Sequence, residues 1–423
     1  MGDFLHKLTV VWNDSRLRNR ILFMLGALAV FRFLAAIPIP GIDSFALQQF
    51  FSNNQLLGFL DIFAGGGLSN LSIIMLGVAP FITASIIFQL LTVISERMRE
   101  MYHEEGEAGR KRIAQYSRLI TVPLAIIQGY SFIILLQRNG IIGSLSPVEL
   151  IANITLVTAG AILMMWVGEL MTEFGISNGV SLIIFAGIVS RLPSTLQQLV
   201  FTFTPDQIPL YIGFVLAAVL ITFGVVVLTE AERPIPITYA RRVRGNKVYG
   251  GVSTYLPLRV NQAGVMPIIF ALSILLFPQM ILSFLSTLSL SGLTSIADTI
   301  LRFLGNQWIY GSLYFVLVFL FTYFYTAITF DPHAIAENLQ KTGAFIPGVR
   351  PGRPTEEHIS HVLTRLTLVG ALFLGAIAVL PIVMQGITGI TTLAIGGTGL
   401  LIVVSVVIEL IKKIEAQISM REY

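Results

Sequence analysis

The sequence predicts an all-α polytopic membrane protein, ten transmembrane helices in two inverted five-helix halves, on three observations. Of 423 residues, 55% are hydrophobic and only 12% charged, roughly half the charged fraction of soluble domains. The apolar residues form uncharged runs, such as 71–95, 119–137, 150–168, 207–229 and 303–330, long enough to cross about 30 Å of hydrocarbon as helix. The basic residues gather in alternate gaps between those runs, the pattern left when one membrane face retains Lys and Arg.

The first span lies near 21–37, behind Arg16, Arg18 and Arg20, and ends in Ile37-Pro38-Ile39-Pro40. No small-residue cleavage site follows, so it reads as a retained span rather than a removed leader. The second span lies near 71–94 and reads as a broken one. Spans three to six follow near 118–137, 150–171, 180–200 and 209–229, and seven and eight near 264–285 and 308–329. The uncharged run 366–408 is too long for one helix and contains Pro381, Gly386 and Gly389, so it divides into spans near 362–383 and 393–411.

Of the 27 basic residues, 23 fall before span one, between spans two and three, six and seven, and eight and nine, or after span ten. Only Arg32, Arg138, Arg191 and Arg302 lie on or toward the other side. This requires an even number of spans with both termini in the cytoplasm. Five spans on either side of residue 200 place the second half, 201–423, upside down relative to the first, 1–200, as in inverted-repeat transporters. The loops 230–262 and 330–361 are then cytoplasmic. Within the former, 235–260 reads as a hairpin around a basic turn, Arg244-Gly245-Asn246-Lys247.

Composition also narrows the chemistry. There is no cysteine, hence no disulfide framework and no thiolate metal site. His358 and His361 are the one close histidine pair, beside acids in a polar stretch, and are a poor metal site. No Gly-Lys dipeptide occurs, so there is no Walker A phosphate loop. The expected protein is neither an enzyme nor cofactor-bound, and energy for transport must come from a partner or the membrane potential.

Seven segments carry a resemblance. They are Phe63-Ala64-Gly65-Gly66-Gly67-Leu68-Ser69, Pro80-Phe81-Ile82-Thr83-Ala84-Ser85-Ile86-Ile87, Glu107-Ala108-Gly109-Arg110-Lys111, Tyr239-Ala240-Arg241-Arg242, Tyr255-Leu256-Pro257-Leu258-Arg259-Val260-Asn261, and Gly343-Ala344-Phe345-Ile346-Pro347-Gly348-Val349-Arg350-Pro351-Gly352, with Gln89-Leu90-Leu91 between the second and third. In this order and in a ten-span frame the chain resembles the SecY family, the protein-conducting channel of the bacterial Sec translocase. The resemblance implies two five-helix halves around a central hourglass pore, with a lateral gate between spans two and three and spans seven and eight. It implies passage of signal sequences and nascent, unfolded polypeptide across the bacterial cytoplasmic membrane or sideways into the lipid bilayer.

It further implies a constriction ring of Val78, Ile82, Ile184, Ile188, Ile269 and Ile402. A short apolar ring holds back ions because water and charge enter it reluctantly. The spacing puts Val78 with Ile82, and Ile184 with Ile188, on one helix face each; on composition alone all six are ordinary packing aliphatics. By the same resemblance 61–70 is the plug, a half-helix filling the outer vestibule, carried by Phe63, Ala64, Gly65, Gly66, Gly67, Leu68, Ser69 and Asn70. The bland reading of that segment is an extracytoplasmic loop. Its glycines suggest few essential contacts. Arg191, three residues past Ile188, should face water in that vestibule, or simply sit at a helix end.

Arg241, Arg242, Arg244, Lys247, Arg350 and Arg353 form the implied docking surface for the SecA ATPase and the ribosome, arginine being suited to rRNA phosphates and acidic patches. Small subunits resembling SecE and SecG are the implied companions. Two departures stand out: Arg233-Pro234 replaces a second arginine common in the family, and Phe174 stands where an arginine is common. The rival function is secondary transport of a small solute, which inverted halves would equally suit. The span interiors hold almost none of the ionisable groups such coupling uses. A membrane insertase is a third reading.

Overall fold

The structure, a computed structural model, describes residues 12–39, 66–68, 71–103, 105–138, 140–143, 145–201, 208–239, 242–244, 247–249, 253–285, 299–300, 303–388 and 391–422. Ten long helices follow the ten apolar runs: α1 (Ser15–Ala35), α2 (Ala79–Ile94), α4 (Gly106–Arg138), α5 (Pro147–Phe174), α6 (Gly179–Phe201), α7 (Ile208–Glu230), α8 (Met266–Leu285), α9 (Gln307–Thr329), α11 (Arg353–Thr388) and α12 (Thr391–Glu422). Two short helices, α3 (Glu96–His103) and α10 (Pro332–Thr342), lie in polar connections. By length and apolarity, Gly106–Gln137, Pro147–Phe174, Gln307–Thr342 and Arg353–Met384 qualify among the described residues as membrane spans. The pair α2 and α3 makes a fifth if its 109° bend is counted as one broken span.

Local chemistry sets the helix ends. Asp14 caps α1 by accepting the Arg16 and Leu17 amides at 2.9 and 3.5 Å. A capping box of Ser146 and Glu149 with Pro147 in the first turn starts α5. Asp331 caps α10, and Gly343 ends it at φ 72°, the left-handed conformation that favours glycine. Within the spans, Thr83, Ser117, Thr121, Thr322 and Thr326 donate to carbonyls four residues back, so their hydroxyls are satisfied without leaving the helix.

The second span is broken at its start. Residues 71–78 are turns, and helix begins only at Ala79. This apolar stretch pairs instead with the end of span one: the Ile39 amide donates to the Leu71 carbonyl at 2.8 Å, and the Ile73 amide to the Ile37 carbonyl at 3.1 Å. It is also seated against α5, where a Cβ on Gly160 would lie 2.0 Å from the Ile73 carbonyl oxygen. Only glycine admits that approach.

Among the described residues, four apolar clusters hold the elements together. The largest joins residues of α1, α2, α5, α6, α7, α8, α9, α11 and α12. A second packs Leu68, Leu71, Met75 and Leu76 against α4 and α5. A third ties Ile235 and Leu258 to Ile346 and Ile359. The fourth unites Leu17, Ile176 and Ile418 at the ends of α1, α5 and α12. In contrast α7 turns Ile212, Val215, Leu216, Val219, Leu220, Phe223 and Val227 outward, an apolar face fitted to lipid rather than water. The Phe174 departure has a structural consequence: this exposed ring packs edge-to-face on Phe23 of α1, centroids 6.0 Å apart.

The expected hairpin is present. Strands β1 (Glu232–Tyr239) and β4 (Ser253–Arg259) pair antiparallel, and between them β2 (Arg242–Arg244) pairs with β3 (Lys247–Tyr249). The Arg233-Pro234 departure falls in this ladder, Pro234 lying opposite Pro257, where neither residue has an amide to donate. A third strand, β5 (Ala344–Phe345), joins the free edge of β1 at Thr238 and Tyr239.

Candidate functional site

The six residues of the expected ring come from four places in the chain and meet in one buried cluster. Val78 sits at the N-terminal boundary of α2 and Ile82 one turn on, Ile184 and Ile188 lie on α6, Ile269 on α8, and Ile402 on α12. All six are buried. Their helices approach closely: a Cβ on Gly399 of α12 would stand 2.9 Å from Cγ2 of Ile188.

On the side of the basic loops the cluster opens into a cavity of about 450 Å³. Its inner wall is apolar, with Phe81, Ile82, Ile269 and Phe270; its outer wall is polar, with Gln89, Arg118, Glu169, Thr172, Glu173, Asn178 and Ser181. Arg118 Nε donates to Glu169 Oε1 at 2.6 Å, tying α4 to α5. Asn178 accepts the Val180 and Ser181 amides and so caps α6. Tyr325 of α9 completes the rim with its ring against Phe270, centroids 5.9 Å apart.

On the opposite side lies the described part of the plug segment, Gly66, Gly67 and Leu68. Gly66 has φ 82°, and a Cβ there would come within 3.7 Å of Arg32 Nη1, the Gly187 carbonyl and the Ser190 hydroxyl. Gly187 and Ser190 flank Ile188 on α6, so this turn abuts the buried cluster. Arg191, half-buried on the same helix, interacts electrostatically with Arg32. Phe63, Ala64, Gly65, Ser69 and Asn70 lie outside the described residues.

Of the expected half-helix over 61–70 only 66–68 fall within the described residues, where they form a turn. One expectation for the plug is corrected, that it is short of contacts: the Gly67 carbonyl accepts from the Ser72 amide at 2.9 Å and the Ser72 hydroxyl at 3.0 Å, and Leu68, 2% exposed, is buried in the second cluster. The glycines concealed this, because the anchors are a backbone carbonyl and the neighbouring leucine.

Of the expected docking residues, Arg241 lies outside the described residues, and Arg242, Arg244 and Lys247 occupy the β2–β3 hairpin with Arg244 opposite Lys247. Arg350 and Arg353 are far away in sequence, yet pairing of β5 with β1 brings their loop beside the hairpin base. Arg350 is exposed, while its carbonyl accepts from Thr355 Oγ1 at 2.8 Å. Arg353 pairs with Glu357 on its own helix at 3.2 Å. His333 Nδ1 lies 2.9 Å from Glu356 Oε2, joining the starts of α10 and α11; that hydrogen bond, with the charge of Glu356, raises the His333 pKa.

Sequence reasoning missed Gly160 and Gly399, whose importance appears only once their neighbours are known. It also missed the Arg118–Glu169 pair, because 51 residues separate its members.

Long apolar helices around a buried apolar junction, with a cavity on one side and a seated turn on the other, fit a membrane channel or carrier. Comparison narrows the class. The SecY family model matches residues 72–411. The protein translocase subunit SecY of Mycobacterium tuberculosis is 41% identical over 439 residues, covering 96% of each chain, and that of Streptomyces galbus is 43% identical over 423 residues, again 96% of each. Among solved structures, a protein-conducting channel superposes with a TM-score of 0.64 at 19% identity, over 93% of this chain and 91% of that one. The channel of a canine ribosome–channel complex from the endoplasmic reticulum gives 0.61 at 18% identity, with the same coverage. The chain belongs to the SecY family of protein translocase subunits.

Proposed function

We propose that this chain is a protein-conducting channel in its closed form, passing unfolded secretory polypeptide across the bacterial cytoplasmic membrane and releasing apolar segments sideways into lipid. The observation that carries the reading is the burial of Val78, Ile82, Ile184, Ile188, Ile269 and Ile402 in one cluster between a cavity and a seated turn. A junction of side chains, unlike a rigid cavity, can part for residues of any size and still exclude ions when shut. The turn 66–68 acts as part of the plug. The hairpin and the Arg350 loop, adjacent through the β1–β5 pairing, form one basic platform for a cytoplasmic motor or the ribosome, and small SecE-like and SecG-like subunits complete the assembly.

The test is a stalled, signal-bearing nascent chain challenged with a photo-crosslinker at Ile82. Crosslinking that depends on the signal is expected; solute uptake by the reconstituted chain without crosslinking would establish a carrier instead. Orientation is checked separately. A reporter fused after Tyr423 should be cytoplasmic and one inserted at Ser291 extracytoplasmic, as the 23 retained basic residues demand; both on one side would overturn the ten-span frame.

A further inference from the structure

The segment between α10 and α11 is closed on itself at its two ends. His333 stands in the first turn of α10, where Asp331 accepts the His333 amide at 2.9 Å, and Glu356 stands in the first turn of α11. Although 23 residues separate them, His333 Nδ1 lies 2.9 Å from Glu356 Oε2. The enclosed stretch contains the exposed Arg350 and three glycines with left-handed backbone, Gly343 at φ 72°, Gly348 at 84° and Gly352 at 94°. Such residues leave a chain free to swivel unless its neighbours hold it. Three contacts hold it here: Thr238 and Tyr239 of β1 pair with β5, Ile346 is buried in one cluster with Ile235 and Ile359, and Thr355 Oγ1 donates to the Arg350 carbonyl. The His333–Glu356 pair closes the segment at its base.

The charge on His333 depends on that pair. A cation in the first turn of a helix opposes the helix dipole, so a proton on His333 is favoured where a carboxylate stands alongside. Glu356 supplies it: its hydrogen bond, and then its charge, raise the His333 pKa, with smaller contributions from Asp331 and Glu337. Other charges on the two helices are engaged locally, Lys341 with Glu337 at 2.8 Å and Arg353 with Glu357 at 3.2 Å. His358 and His361 are exposed further along α11, and β5, which also packs on α10, carries no titratable group. A pKa raised by closure means that the closed form binds the proton more tightly. Closure is therefore fully supported below the ordinary histidine value of 6.5 and loses that support as pH rises through the raised value. A neutral imidazole still donates through Nδ1, without the charge that strengthens the bond. Both side chains meet water, which keeps the effect to a few-fold.

We propose that His333 and Glu356 form a proton-dependent clasp that holds the Arg350 loop in its ordered form and tightens as the surrounding pH falls. This rests on the docking platform inferred above and adds its regulation: Arg350 is presented in a fixed place when the clasp is charged, and on a looser loop when it is not. His333 is a positioning residue, acting on Arg350 through the loop between them. The apolar contacts beneath the loop, Ile335 of α10 and Ile346 with Ile359 of α11, involve no titratable group, so opening the clasp loosens the loop without unfolding either helix.

The experiment uses the full chain in its native membrane assembly at about pH 6 and about pH 8.5, on either side of the range in which histidine titrates. Amide hydrogen exchange over 343–352 is expressed as protection factors, which divide out the pH dependence of the exchange chemistry itself. In the parent chain, protection should fall about three-fold from the lower pH to the higher, the size expected of one exposed ion pair. His333→Lys, which stays cationic, should remain protected at both, and Glu356→Gln should be weakly protected at both. Inverted vesicles of the same assemblies report motor-driven export, and the ratio of parent to His333→Lys should fall about two-fold over this range. A protection change of equal size in the parent and His333→Lys, or none in either, would overturn the clasp. Protection that follows His333 while the export ratio stays constant would keep the clasp and remove instead the docking platform on which its role depends.

Discussion

An Ile402→Asn channel should export precursors with defective signal sequences about ten-fold more efficiently than the parent chain. Ile402 is fully buried on α12 and shares its cluster with Val78, Ile82, Ile184, Ile188 and Ile269. An amide placed there has no partner in the closed state, which costs about 1–3 kcal/mol, whereas in the open state it meets water. Opening becomes easier by that difference, and a few kcal/mol is the usual separation between a major and a minor conformer. A functional signal ordinarily supplies this energy, so a defective one becomes sufficient. If Ile402 merely packs helices, the substitution lowers protein abundance and leaves signal selection unchanged. Export of a signal-defective reporter, normalised to channel abundance, separates the two outcomes, and unaltered selectivity at normal abundance would take Ile402 out of the pathway.

Gly160→Ala should cost about 3 kcal/mol or more, at the upper end of what one added carbon does in a packed interior. The new Cβ would stand 2.0 Å from the Ile73 carbonyl oxygen. A backbone atom cannot rotate aside as a side-chain end can. Residues 71–78 or α5 itself must move, and with them Val78 in the largest apolar cluster. Gly26→Ala is the control: that Cβ meets nothing within 4 Å in this chain, and removing a mid-helix glycine stabilises by about 0.5–1 kcal/mol. Thermal unfolding of the two purified variants should therefore shift in opposite directions. Similar midpoints for both would show that the close approach at Gly160 is absent.

The ten-helix frame was legible because lipid imposes a length on apolar runs and a sign on the loops between them. The β1–β4 hairpin was legible from its prolines and basic turn. The start of the second span was not, since Leu71, Ile73, Ile74, Met75 and Leu76 are as apolar as the helix that follows. What withholds helix from them is tertiary: strand-like pairing with 37–39 and the niche at Gly160. The shared buried cluster of the six expected ring residues was not legible from spacing. Spacing put Val78 with Ile82 and Ile184 with Ile188 on shared faces, but buried packing residues have the same spacing. All six were named on resemblance to a family, Ile269 and Ile402 among them. The polar wall of the cavity could not be read at all, because Arg118, Glu173 and Ser181 come from three separate helices and share a cavity only after folding.

The 36-residue helix α11 reaches about 54 Å end to end, well beyond the thickness of the hydrocarbon it crosses. It starts at Arg353, beside the exposed Arg350 loop, and is pinched part-way along. A Cβ on Gly370 would lie 2.6 Å from the Val260 carbonyl, and one on Gly375 would lie 2.9 Å from the ring of Phe315. Such points act as a fulcrum for the arm from Arg353 to Gly370, about 26 Å long, while Pro381 interrupts the hydrogen-bond ladder of the arm beyond Gly375. A tilt of about 5° therefore swings the Arg353 end by roughly 2 Å, by the geometry of a helix rising 1.5 Å per residue. A push on the loop would thereby reach α9, the helix against which α11 packs most extensively.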